Sequence, residues 1–262
     1  MPTTWNAAGA LAADAPAIRR LRLSDIPAAL KEGWDDFMAM PTQLIFLCLI
    51  YPLVGFVLAR AASRADWLSL IYPLLAGFAL LGPVFAIGLY ELSRRRERGE
   101  APRWTDMFKV LSSPGLFPMM ALSAVLLAVF VAWIATAKAI YTGVMGHEAP
   151  ESIWAMLHQV MTSPEGTTLI LVGNAVGALF ALAAFALSVL SFPMLLDRDG
   201  GLRRAVSTSL RAIAANPVPM LAWGVTVAVL LALGFATLMV GLAVVLPVLG
   251  HATWHLYRRA VA

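Results

Sequence analysis

Residues 218–257 read VPMLAWGVTVAVLLALGFATLMVGLAVVLPVLGHATWHLY, forty residues without one aspartate, glutamate, lysine or arginine. As a single straight helix this run would measure about 60 Å, twice the ~30 Å thickness of a bilayer's hydrocarbon core. Tilting absorbs much smaller mismatches than that. The run is therefore expected to double back, with a turn near Gly234, although LALGFATLM offers one glycine and one threonine rather than a cluster of turn formers.

Four further runs, at 42–60, 67–90, 115–141 and 167–196, are each long enough to cross the same core. With the last run folded into a hairpin the chain makes six crossings. Residues 1–41, 91–114, 197–217 and 258–262 then share one side and hold 16 of the 19 lysines and arginines, against Arg60, Arg64 and Lys138 opposite. Basic loops stay cytoplasmic, so both termini are expected there.

Composition agrees, since 60% of the 262 residues are hydrophobic and 13% are charged. A soluble domain carries about 25% charged residues. Cys48 is the single cysteine and lies in an apolar run, which excludes an intrachain disulfide and a cysteine-rich metal centre. The formal charge of +4 reports orientation before it suggests nucleic acid, and no nucleic-acid partner is expected. The opening MPTTWNAAGALAADAPAIRR is no secretory signal, and residues 1–23 read as a flexible cytoplasmic tail before one membrane domain, 24–262.

An amphipathic stretch precedes each membrane pair. In SDIPAALKEGWDDFMAMP, Ile26, Leu30, Trp34, Phe37 and Met38 recur at helical spacing, with Ser24 as N-cap. In RWTDMFKVLSSPG the face is Trp104, Met107, Phe108 and Leu111, and in GGLRRAVSTSLRAIAANP it is Leu202, Val206, Leu210 and Ile213. Such helices lie at the cytoplasmic interface, where basic residues meet anionic lipid. Pro83 is followed seven residues on by Tyr90 and then ELSRR, and Pro247 seven on by Trp254 and then HLYRR. This divides the domain into pseudo-repeats of about 24–100, 101–200 and 201–262, the middle one matching least well. The expected fold is all-α: a polytopic bundle of about six spans built as three hairpins, each preceded by an interfacial helix. Between the third and fourth spans, Pro150 can start a further amphipathic helix carrying Ile153, Trp154, Leu157, Val160 and Met161, resting on the outer leaflet or on a partner.

Chemistry-bearing residues are few. His251 and His255 stand at i and i+4 on one face, a spacing that lets two imidazoles reach one metal, yet zinc or haem needs further ligands. Glu91 can add a carboxylate if the two repeated exits meet. The competing reading has His251 bonded to a neighbouring helix and His255, Trp254 and Tyr257 forming an interfacial belt before the arginines. Asn174 is the clearest polar group inside a span and serves as interhelical glue or pore lining. Lys138 can snorkel to water, and Gly173, Gly177 and Ala181 form a small-residue face for close helix approach. Phosphate loops, dinucleotide fingerprints, nucleophile elbows and zinc-protease helices are absent from the sequence, which argues against an enzyme and calls for no cofactor.

The stretches DIPAALKEGWDDF, GPVFAIGLYELSRR and LPVLGHATWHLYRR together resemble the bacterial integral-membrane family known as domain of unknown function 2189. The resemblance extends over nearly the whole chain and implies a polytopic inner-membrane protein common in proteobacteria, without an established activity or catalytic residue. The expectation is a non-catalytic accessory or scaffold subunit, working beside a respiratory or other membrane complex or as a homo-oligomer. A small-solute transporter or channel, with Asn174, Glu91 and His251 as polar lining, is the alternative. A haem or metal carrier using His251 and His255 is the weaker one.

Overall fold

The computed structural model describes residues 16–42, 65–147, 152–198, 200–237 and 239–262, with residues 45, 46, 48, 50, 51 and 55 between the first two segments. Among the described residues the fold is all-helical, apart from one isolated antiparallel bridge between Ile18 and Val261. The amphipathic helix α1 spans Asp25–Ala39. The next run is segmented: a 3-10 turn at Ala65–Leu70, α2 (Ile71–Phe78), a second 3-10 turn at Ala79–Leu81, α3 (Gly82–Phe85) and α4 (Ile87–Glu97). The break falls at Gly82-Pro83, where proline removes an amide donor and clashes with the preceding turn. A 3-10 helix (Trp104–Ser112), α5 (Leu116–Met145), α6 (Ile153–Thr162), α7 (Pro164–Ser188), α8 (Ser191–Asp197), α9 (Gly201–Ala215), α10 (Pro217–Ala236) and α11 (Leu242–Ala260) follow.

Four stretches among these are long and apolar enough to cross a membrane: Leu68–Glu97, Leu116–Met145, Pro164–Asp197 and Pro217–Ala236. They coincide with four of the expected crossings. The expected span at 42–60 falls mostly outside the described residues, as does Pro150. Helix α6 instead starts behind Ser152, whose hydroxyl accepts from the Ala155 amide at 3.1 Å.

The forty-residue run is broken, and the weak turn chemistry suffices. Helix α10 stops at Ala236 and α11 begins at Leu242. Between them Thr237 donates its hydroxyl to the Gly234 carbonyl (2.9 Å) and accepts from the Gly241 amide (2.9 Å), while Met239 takes a positive φ of 66°. A Cβ on Gly241 would lie 3.1 Å from the Gly234 backbone, so the two glycines let α10 and α11 close on each other. Helix α11 itself is mostly buried, and it is not among the four stretches suited to spanning.

The three amphipathic segments do not simply lie on a surface. The 3-10 helix docks on α4 and α9 on α8, each the end of the membrane run before it, whereas α1 docks on α11 at the far end of the chain. The last contact joins the two ends of the described chain. It is reinforced by the Ile18–Val261 bridge, by Arg19 N–H to the Ala260 carbonyl (2.9 Å), and by Asn216, which accepts from the Leu21 amide (2.8 Å). The segment read as a flexible tail through residue 23 is thus tied down from Ala17 onward. Ser24 occupies the N-cap position of α1, but its hydroxyl makes no capping bond.

Small residues dock these segments together with part of the expected apolar stripe: Leu30, Leu202, Val206 and Ile213 pack against the core. On α1 the buried face is Ile26, Ala29, Gly33 and Phe37, whereas Trp34 and Met38 remain exposed. A Cβ on Gly33 would sit 2.6 Å from the Ala252 backbone nitrogen, so the glycine permits the close approach of α1 to α11. Helix α9 likewise buries Ala205, Thr208, Ser209 and Ala212 and leaves Leu210 exposed. Within the bundle, Gly177 faces the ring of Trp133 rather than another backbone, and Trp133 donates its indole N–H to the Pro73 carbonyl (2.9 Å). No heavy atom lies within contact distance of a Cβ placed on Gly173.

Candidate functional site

The docking of α1 on α11 carries a carboxylate into the protein. Asp36, four residues after Glu32 on α1, is 4% exposed. Its Oδ2 accepts from the Ser93 hydroxyl of α4 (2.5 Å) and lies 2.8 Å from Nε2 of His255, while Oδ1 accepts from Arg96 (2.6 Å). Ser93 Oγ is also 2.7 Å from Nδ1 of the fully buried His251. The hydroxyl has a single hydrogen, so Ser93, donating it to the carboxylate, must accept from Nδ1–H of His251. That tautomer leaves Nε2 of His251 without a proton, and this atom is buried without a hydrogen-bond partner among the described residues. Leu89 packs close by, only 2.5 Å from where a Cβ on Gly250 would stand.

Around this centre the other charged residues are joined in pairs. The Arg259 guanidinium forks onto Glu32 with two bonds of 2.8 Å. Nδ1 of His255 stands 3.3 Å from the same carboxylate, so both ring nitrogens of His255 face acids of α1. Arg258 reaches Glu97 (2.9 Å) and Asp197 (3.2 Å), binding α11 to the ends of α4 and α8. Trp254 donates to Glu97 (3.0 Å) and Tyr257 to Asp197 (2.9 Å). These two aromatics are therefore fully buried, and the interfacial belt expected of them is replaced by a packed pair with ring centroids 5.6 Å apart.

The acids of α1 are tuned by this setting. Burial opposes the Asp36 carboxylate, but hydrogen bonds from His255 and Ser93 outweigh it and hold the group below its ordinary value. Glu32 is lowered first by its bonds to Arg259, against a smaller desolvation effect. Both acids favour the charged, paired form.

The structure brings His251 and His255 to one carboxylate, but not to Glu91. Glu91 is buried against Arg94 and Arg95 of its own helix, at 2.6 Å each, and Arg94 goes on to the Leu196 carbonyl (3.2 Å). Three of the four ring nitrogens of the histidines already face protein partners, and no group of three or more histidine, cysteine, aspartate or glutamate side chains suited to a metal occurs among the described residues. Asn174 lies elsewhere, on an exposed face of α7, accepting from the Tyr72 hydroxyl of α2 (2.8 Å) and donating to the Ile170 carbonyl (2.7 Å). Sequence reasoning passed over Asp36, Ser93, Glu32 and Arg96. Its usable signal was the i, i+4 pair Glu32 and Asp36 beside the small face Ala29 and Gly33.

Residues 71–197 match the family model described as "Predicted integral membrane protein (DUF2189)". Over that stretch, a little under half of its length, the chain is similar to this family. The match is narrower than the whole-chain resemblance: it includes GPVFAIGLYELSRR, and so Glu91 and Ser93, but leaves DIPAALKEGWDDF and the Gly-His-Ala-Thr-Trp-His segment outside. No curated protein and no solved structure matches the chain. The polar centre thus joins Ser93 of the matched region to Asp36, His251 and His255 from beyond its two ends.

Proposed function

We propose that this integral membrane protein is a non-catalytic scaffold, an accessory subunit of a membrane complex. The observation that carries the reading is the use made of its reactive-type side chains. Asp36, Glu32, Ser93, Glu97, Asp197, His255, Arg96, Arg258 and Arg259 are engaged with one another across four helices. An arrangement of this kind holds helix ends in fixed relation, which suits a platform. In this reading six spans form three hairpins in a bacterial inner membrane, α10 and α11 make the last hairpin, and both termini are cytoplasmic, where the basic loops collect.

The test is purification from native membranes in mild detergent. A reproducible stoichiometric protein partner supports the scaffold. A chain recovered alone or as a homo-oligomer moves the balance to a small-solute transporter, the second reading, which the exposed Tyr72–Asn174 pair on two candidate spans favours.

A further inference from the structure

A groove of about 360 Å³ lies beside the 3-10 helix, lined by Val84 and Ile87, by Val110, and by Leu116, Met119, Met120 and Ser123 of α5. The wall is apolar throughout except for Ser123, whose hydroxyl is turned back to the Met119 carbonyl of its own helix (2.8 Å). Two walls belong to candidate membrane spans, so the groove faces hydrocarbon. From Leu116 to Ser123 it follows α5 for about 10 Å, roughly a third of the ~30 Å bilayer core. Met120 stands 61% exposed on its margin.

The third wall sets the chemistry at the mouth. The 3-10 helix turns Met107 inward over Gly88, where a Cβ would meet Met107 at 2.9 Å, and leaves Trp104, Phe108 and Leu111 exposed. An outward aromatic and leucine face at the end of a membrane run is the composition of an interfacial helix. Its basic residues, Arg103 and Lys109, are exposed, and Lys109 directly precedes the groove-lining Val110. Asp106 takes the Arg103 amide (2.7 Å) and one Lys109 contact (2.6 Å), leaving the lysine ammonium two further N–H donors.

We infer that this groove is a lipid site that holds one acyl chain of an anionic phospholipid, with the phosphate met by Lys109. An apolar slot open to hydrocarbon takes a chain, and Lys109, next in the chain to the lining Val110, selects an anionic headgroup. This rests on the membrane-spanning nature of α3–α5 and is independent of the scaffold reading, because it requires no protein partner.

The test uses purified, delipidated full-length protein and native mass spectrometry with phosphatidylglycerol or phosphatidylcholine. The wild type binds one phosphatidylglycerol in preference to phosphatidylcholine. Ser123→Phe and Val110→Phe, which fill the groove from opposite walls, weaken phosphatidylglycerol binding by about tenfold, the equivalent of about two methylenes expelled. Lys109→Gln weakens it by about fivefold and leaves phosphatidylcholine unchanged. Crosslinking wild-type protein with phosphatidylglycerol carrying a photoreactive acyl chain labels residues 107–123 and does not depend on any variant folding. Labelling spread evenly over all spans, unchanged binding in folded groove-filling variants, or a co-purifying transmembrane protein displaced by those variants overturns the proposal.

Discussion

Asp36 is the residue on which the charged end of the bundle turns, because its two oxygens serve Ser93, His255 and Arg96 at once. Removing one partner from a buried charged network leaves the others uncompensated, typically at a cost of about 3–5 kcal/mol. Asp36→Ala is expected to lower the thermal midpoint in detergent substantially, while Lys31→Ala, whose pair with Asp35 is exposed, leaves it nearly unchanged. Equal midpoints for the two variants would remove Asp36 from its central role. Gly33→Val is a second residue-scale prediction: the added side chain meets the Ala252 backbone, and α1 should become accessible to protease while the remaining helices stay intact.

For the elements, the behaviour of α1 depends on pH through Asp36 and Glu32. Both acids have folded pKa values below their ordinary ones of 3.8 and 4.5. Their contribution is therefore complete above those values and is lost as pH falls through the lower folded ones. Hydrogen exchange along Asp25–Ala39 should be slow at neutral pH and accelerate selectively in acid below about pH 4. Uniform acceleration across all helices would sink the prediction. The amphipathic pattern of α1 was legible and its Ile26 and Phe37 do face inward, but Trp34 and Met38 stay exposed and the small members of the buried face were not read. A hydrophobic stripe reports where large apolar residues recur, whereas docking also drew on Ala29 and Gly33, whose value lies in the backbone they allow to approach. For the same reason Trp254 and Tyr257 read as an interfacial belt, although Glu97 and Asp197 receive their polar atoms inside.

On the scale of the whole molecule, the contact of α1 with α11 closes the described chain end to end. In the six-span reading both ends lie in the cytoplasm. Reporter fusions at Gly234 and at the C-terminus should then report opposite sides, and impermeant labels added to intact cells should miss cysteines placed at Arg98 and Ala262. Labelling of either position would end that topology. The turn at 237–241 makes Gly234 an informative site, since it lies one helical turn before the chain reverses.

The sequence by itself determined the membrane character and four of the crossings, because the length and hydropathy of a run are properties of contiguous residues. It also located the helical break near Gly234, from the simple mismatch between forty residues and one bilayer. The polar centre was decided by tertiary structure alone. Asp36, Ser93, His251 and His255 meet across sequence separations of 57, 158 and 219 residues. Periodicity along one helix carries no information about which residue of a distant helix will stand opposite. That choice was made by the close approach of the α1 and α11 backbones at Gly33 and by the room that Gly250 leaves for the Leu89 side chain.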